Sequence, residues 1–275
     1  IFNGVTTGTP ISLLIKNNDV RSKDYSEIKD KFRPGHADFT YQFKYGIRDY
    51  RGGGRASARE TAMRVAAGAV AQKILGSKIT IKGALTQIGK KKINPKNWNW
   101  EEINKNDFFC PDKSIVPVWE KYLKKIRKEG SSIGAIIQIN AKGIPIGLGE
   151  PVFDKVEALL AKAIMSIPAV KGFEIGSGFD GTKLKGSDHN DQFKKDGSTY
   201  TNNSGGIQGG ISNGMDIVFN VAFKPVSTIM KSQKTIDSNG NEVLMEGRGR
   251  HDPCVVPRAV PIVEAMAALV VLDYY

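Results

Sequence analysis

Apolar and polar positions along this chain fall into segments that predict a mixture of strands and helices. Residues 11–15 (ISLLI) predict a short buried strand, followed by a polar connector through Asp30. From Ser57 onward, Ala62, Val65, Ala66, Ala69 and Val70 share one helical face, with Met63 and Ile74 near its edges. Ser57 and Glu60 have capping-box spacing, which predicts a helix start at Ser57. Residues 79–88 alternate as a strand interrupted by Gly83, and the polar residues 89–115 predict an irregular surface insertion. Residues 116–129 form an amphipathic helix pattern ended by Gly130.

Residues 133–139 predict a buried strand, and Gly143, Gly147 and Gly149 a loop. Pro151 then predicts the first turn of a helix running to about Ser166, before Pro168. Residues 173–175 read as a strand and 180–214 as a long polar, glycine-rich loop, functional or mobile. Residues 215–223 are apolar on both faces and predict a central, covered strand. A hairpin around Asn239-Gly240, a loop over 250–257 and a helix over 261–274 complete the chain. The strands lack the short, regular βαβ rhythm of a doubly wound sheet, so the pattern predicts an α+β fold with sheets packed on buried helices.

The 275 residues suffice for one large domain or two intimately packed ones. A net charge of +12 invites a nucleic-acid reading. The basic residues are dispersed, however. Lys90, Lys91 and Lys92 make the one tight run, and no RNP pattern, zinc-finger spacing or basic heptad occurs. A concentrated arginine site for a small anion explains part of the same excess. Cys110 and Cys254 are isolated and lack metal-site spacing, consistent with a reducing, cytoplasmic compartment. The most apolar run, 259–272, is interrupted by Pro261 and Glu264 and is too short to span a bilayer.

Candidate chemistry concentrates in residues 31–75. Gly52, Gly53 and Gly54 form a loop whose backbone can approach a ligand closely. It leads into the predicted helix start, where unpaired amides and the charges of Arg55 and Arg59 suit a phosphate or carboxylate. A capped core helix with solvated arginines fits the same pattern. His36, in PGHAD, follows a proline–glycine turn and is either a solvent-facing turn residue or a proton donor to a ligand. Arg250 and Asp252, in RHDP, can bind an anion and act as base, or form a surface ion pair. Gly176, Gly178 and Gly181 match a dinucleotide fingerprint, but residues 182–190 lack the apolar period of the helix it requires. His189 has the weakest case of the three histidines.

Three blocks resemble the chorismate synthase family: GHADFTYQFKYGIRDYRGGGRASARETA (35–62), NNSGGIQGGISNGMDI (202–217) and GRGRHDPCVVPRAVPIVEAM (247–266). Their order and spacing also match, and the resemblance covers nearly the whole chain. It implies a single β-α-β sandwich domain over 1–275, with helices between sheets, assembled as a homotetramer. The implied reaction is the anti-1,4-elimination of phosphate from 5-enolpyruvylshikimate 3-phosphate, giving chorismate at the end of the shikimate pathway. It needs reduced FMN without net redox change, with an external flavin reductase as supplier and NADP as the associated nucleotide.

The resemblance assigns Arg55, Ala56, Ser57, Pro168, Ala169, Gly209, Lys224, Pro225, Val226, Ser227, Thr228 and Arg250 to the flavin. Arg59 and Arg250 would meet the substrate. His36 would protonate the reduced flavin, and Asp252 would assist proton removal, with Ser57 as a further catalytic position. Ala56, Val226 and Thr228 depart from the common family residues. The family's G-E-S-H-G and RRRPGT motifs do not occur here, which leads to the expectation that these residues alone are catalytically incomplete. An FMN- or anionic-metabolite-binding protein without turnover is the alternative.

Overall fold

The computed structural model describes residues 1–16, 28–50, 58–247 and 252–275. Its centre is a five-stranded antiparallel sheet in the order β2-β1-β3-β7-β4, built from β1 (Thr80–Ile88), β2 (Lys91–Lys92), β3 (Ala135–Lys142), β4 (Val170–Ile175) and β7 (Ile217–Phe223). Period-two alternation sorts the side chains. Ile137, Ile139, Phe219 and Val221 point to a buried inner face, whereas Gln138, Asn140 and Asn220 line the outer one. The predicted central strand is thus central, but only its inner face is fully covered.

Helices α4 (Val156–Met165) and α6 (Val256–Tyr274) pack on the inner face, and α2 (Thr61–Leu75) packs on α6. The result is an α+β fold. Helix α3 (Val116–Lys128) inserts the fully buried Trp119, whose indole N–H donates to Lys91 C=O at 3.0 Å. Two hairpins stand apart from the sheet: β5 (Ile207–Gln208) with β6 (Ile211–Ser212), and β8 (Ser232–Ile236) with β9 (Glu242–Glu246). The latter turns at Gly240, as its Asn-Gly pair predicts. Helix α1 (Asp38–Tyr45) follows a segment tied to that hairpin through Phe32 N–H to Ile236 C=O at 3.2 Å. The long 180–214 segment contains a 3-10 turn, the four-residue α5 (Gly186–His189) and the β5–β6 hairpin. Asp191 organises it, accepting from Thr201 Oγ1 and from the amides of Asn203 and Ser204.

Several expectations are corrected. Residues 11–15 form no strand: none of the described strands pairs with them, and Leu14 is 82% exposed. An apolar run becomes a strand only where another strand completes its hydrogen bonds. Helix α4 begins at Val156 rather than Pro151, after a turn in which Val156 N–H bonds Gly210 C=O. Helix α6 begins at Val256, with Pro257 in its first turn, and continues through Pro261. The insertion over 89–115 is irregular but not merely superficial. Ile103, Cys110 and Asp112 are buried, and Asp112 accepts from Asn94 N–H, Asn97 Nδ2, Ser114 N–H and Ser114 Oγ.

The buried stripe of α2 also differs from the expected one. Thr61, Gly68, Ala71 and Leu75 are buried, whereas Ala62 and Ala69 are exposed. The cause is a close crossing with α6, where a Cβ added to Gly68 would lie 2.3 Å from the Cβ of Ala265. Helix α6 also lies close to β1. A Cβ on Gly83 would fall 2.9 Å from Val260 Cγ1, and the Gly83 amide donates to Glu264 Oε1 at 2.6 Å.

Two stability experiments follow from this packing. Gly68→Ala should lower the melting temperature although alanine is the better helix former, because overpacking costs roughly 1–3 kcal/mol against about 1 kcal/mol of propensity. Adding Ala265→Gly should recover part of the loss; stability unchanged in the single variant would refute the steric account. Burial pushes the Glu264 carboxyl up to about 7, against the Gly83 hydrogen bond and the Lys82 charge, which pull it down. Its folded value thus exceeds the unfolded one, so the folded state holds the extra proton, and stability falls as pH rises from about 4.5 to about 7. Glu264→Gln should remove this slope, worth at most roughly 3 kcal/mol, and melt higher than the parent above neutral pH.

Candidate active site

The end of β7 gathers most of the described residues singled out from the sequence. The Lys224 amide donates to Ala169 C=O at 2.9 Å, which sets the Lys224–Thr228 run beside Pro168–Ala169. Ala169 holds φ +71°, an uncommon conformation for a residue with a Cβ, at the junction of α4 and β4. The third element is Gly35, at φ +69°, next to His36. Its carbonyl accepts from the Lys224 ammonium at 2.6 Å and from Ser227 Oγ at 2.7 Å, while the ammonium also donates to Ser227 Oγ at 2.9 Å.

Lys224 thus spends its hydrogen bonds on neutral oxygens. Burial and then repulsion from Lys171 lower its pKa, and among the described residues no carboxylate pairs with it. This is a suitable environment for a phosphate or another anion. Val226 joins through Ser132 Oγ, which donates to its carbonyl at 2.7 Å. The adjacent Ile133 amide bonds Pro253 C=O at 2.8 Å, bringing the Asp252 loop to the same end of the sheet. Asp252 is one-third exposed and pairs with Arg258 Nη2 at 3.0 Å, a partner that the sequence reading did not name. Thr228 packs near Gly247 at the base of the β8–β9 hairpin.

His36 is held by a carboxylate that sequence reasoning missed. Asp38, only 4% exposed, accepts from Arg33 Nε at 2.6 Å and Nη2 at 2.9 Å, and lies 3.1 Å from Arg48 Nη1. His36 Nδ1 lies 3.0 Å from Asp38 Oδ1. The nitrogen has no aligned hydrogen-bond partner, so the contact is one of charge and proximity. Burial alone would raise the Asp38 pKa, but the hydrogen bonds and charge of Arg33, aided by the nearby His36, overcome it. They hold the carboxyl far below its ordinary range. Asp38 stands two residues after His36 in the first turn of α1, where a carboxylate reads as ordinary helix-end chemistry.

Not everything converges. Gly209 forms the β5–β6 turn, and neighbouring Gly210 bonds the start of α4, whereas Ala169 follows its end. The ten residues of α4, about 15 Å of helix, separate the two levels. Arg55, Ala56, Ser57 and Arg250 lie outside the described residues, as do Gly52–Gly54 and His251. Arg59 is in the 3-10 turn Ala58–Glu60 that leads into α2. His189 makes a 2.9 Å contact with Ser177 Oγ in the 180–214 segment. Burial pushes both Cys110 and Cys254 thiols up to about 11, which leaves neither poised as a nucleophile. A cleft of about 380 Å³ opens on the outer sheet face between Trp98, Gln138, Glu174 and Asn220, and none of the candidate cofactor, substrate or catalytic residues lines it. Among the described residues no group of His, Cys, Asp and Glu could hold a metal ion, and no helix is long and apolar enough to cross a membrane.

Comparison with known proteins identifies the family. The family model described as chorismate synthase matches residues 1–275. The chorismate synthase of Christiangramia forsetii is 61% identical, across 100% of this chain and 78% of that protein. That of Pelagibacter ubique is 56% identical, again over 100% of this chain and 78% of the relative. A crystal structure of a chorismate synthase superimposes with a TM-score of 0.72 at 32% identity, covering 86% of this chain and 69% of that one. With the sequence blocks, the α+β fold and these matches in agreement, the chain belongs to the chorismate synthase family of carbon–oxygen lyases.

Proposed function

We propose that the protein eliminates phosphate from 5-enolpyruvylshikimate 3-phosphate to form chorismate, the last step of the shikimate pathway, with reduced FMN bound. The observation that carries this reading is the convergence of Gly35–His36, Pro168–Ala169 and Lys224–Thr228 on one end of β7, in a chain of this family. These residues fit a flavin. The Lys224 ammonium, with one hydrogen beyond its bonds to Gly35 C=O and Ser227 Oγ, and the positive-φ backbone of Gly35 and Ala169 lie within one cradle.

When bound, the reduced flavin supplies an electron transiently to the substrate, with no net redox change. The chain's residues bind, orient and move protons. Lys224, backed by Lys171, attracts anionic oxygens, and Arg59 is the candidate cation for the substrate's phosphate or carboxylates. His36 Nδ1 is buried against Asp38, so proton exchange with a ligand falls to Nε2. Asp252, at the same end of the sheet, is the candidate acceptor for the substrate proton, its charge held by Arg258. Pro168 and Ala169 fix the backbone at the α4–β4 junction. Arg55, Ala56, Ser57, Gly209 and Arg250 complete the proposed cofactor and substrate set.

A cytoplasmic homotetramer supplied by an external flavin reductase is part of the same proposal. The exposed apolar residues Ile11, Leu14 and Ile15, together with Phe43 on α1, support association with further copies.

The deciding assay supplies 5-enolpyruvylshikimate 3-phosphate and reduced FMN anaerobically to the full-length protein and measures chorismate and phosphate. Flavin binding without either product would leave a binding protein in its place. His36→Ala should lower turnover by roughly 10²–10⁴-fold, as expected for loss of a positioned proton donor, with flavin affinity retained. Asp252→Ala should act similarly; parental rates in either variant would remove that residue from the mechanism.

A further inference from the structure

Arg64 has no part in the family motif as read from the sequence, yet it ties the start of α2, beside Arg59, to the end of α4, just before Pro168–Ala169. It lies in the first turn of α2, 23% exposed, and donates through Nε to Glu60 Oε2 at 3.0 Å. Its guanidinium then crosses to α4. Nη1 donates to Ser166 Oγ at 2.6 Å and Nη2 to Ser166 C=O at 3.3 Å, with Met266 Sδ of α6 at 3.9 Å from Nη1. Ser166 is the C-cap of α4, and its hydroxyl also donates to Ala163 C=O. The guanidinium therefore sits where the exposed carbonyls and negative end of the α4 dipole favour a cation.

The location matters more than the energy. Ser166 is three residues before Ala169, whose carbonyl anchors Lys224. Glu60 adjoins Arg59, at the end of the segment that carries Arg55–Ser57. One planar fork thus fixes the spacing between the start of α2 and the Pro168–Ala169 turn. A fork of this kind holds two partners in a defined geometry, which a lysine ammonium does not.

We infer that Arg64 is a positioning residue for the flavin and substrate: it sets the separation of the start of α2, beside Arg59, and the 168–169 turn without touching the cofactor. The inference rests on the flavin reading proposed above. It concerns side chains beyond the sequence motifs, and it separates assembly of the cradle from the chemistry performed in it.

The test is FMN affinity, measured by flavin fluorescence under air and for the reduced form anaerobically, alongside steady-state kinetics. In Arg64→Ala, FMN Kd and the substrate KM should rise roughly ten- to hundredfold, the range for losing charge-assisted hydrogen bonds. At saturating flavin and substrate, kcat should stay within a few-fold of the parent. Arg64→Lys should restore charge but recover only part of the affinity. Ser166→Ala removes the short hydroxyl contact while leaving α2 intact, and should weaken FMN binding in the same direction should Arg64→Ala fail to fold. Folded Arg64 and Ser166 variants with parental FMN affinity would overturn the inference. So would a loss confined to kcat. Absence of FMN binding by the parent protein would instead overturn the flavin reading itself.

Discussion

The fold depends on the close approach of α6 to its neighbours on two sides. Gly68 of α2 and Gly83 of β1 each lack the one atom that would hold α6 away, and Ala265 and Val260 fill the vacated space. With α6 seated, α2 and α4 both pack against it, and the C-terminal end of α4 comes within reach of α2's first turn. The site inherits its geometry from this arrangement. Packing distance in the helix layer and ligand geometry at the end of β7 are two readings of the same constraint.

Much of this was legible in the sequence where the signal is local. The alternation in β1, the Asn-Gly turn of the β8–β9 hairpin and Gly130 after α3 all rest on neighbours within a few residues, and each stands where expected. Errors arose where a distant element decides. Residues 11–15 have strand composition but no ladder among the described residues. The α2 stripe was misjudged because counting apolar residues favours alanine and valine, whereas a helix crossing selects the glycine. Pro261 suggests a helix start, yet α6 runs through it, with Ala259, Val260 and Val263 buried around the ring.

The site shows the same division. Long motifs exposed His36, Lys224 and Asp252 through family resemblance, and the first two meet at the Gly35 carbonyl. Nothing in the one-dimensional pattern singled out Asp38, a buried carboxylate shared by two arginines and a histidine, since its partners lie before and after it in a loop and a turn. Arg64 escaped notice for a related reason. Its partner Ser166 stands 102 residues away and has no distinguishing chemistry until the helix that it caps is known.

The junction at Gly35 has an implication for how the site tolerates change. Lys224 and Ser227 are both attached to a main-chain oxygen, a group that no substitution at position 35 can delete. Replacement there can only redirect it, and the positive φ of Gly35 makes redirection the expected result of adding a Cβ. Side-chain scanning along the histidine loop would therefore overlook the tether, which becomes visible only from the strand that reaches across to it. The two halves of the junction are under different rules: one is constrained in backbone shape, the other in side-chain identity.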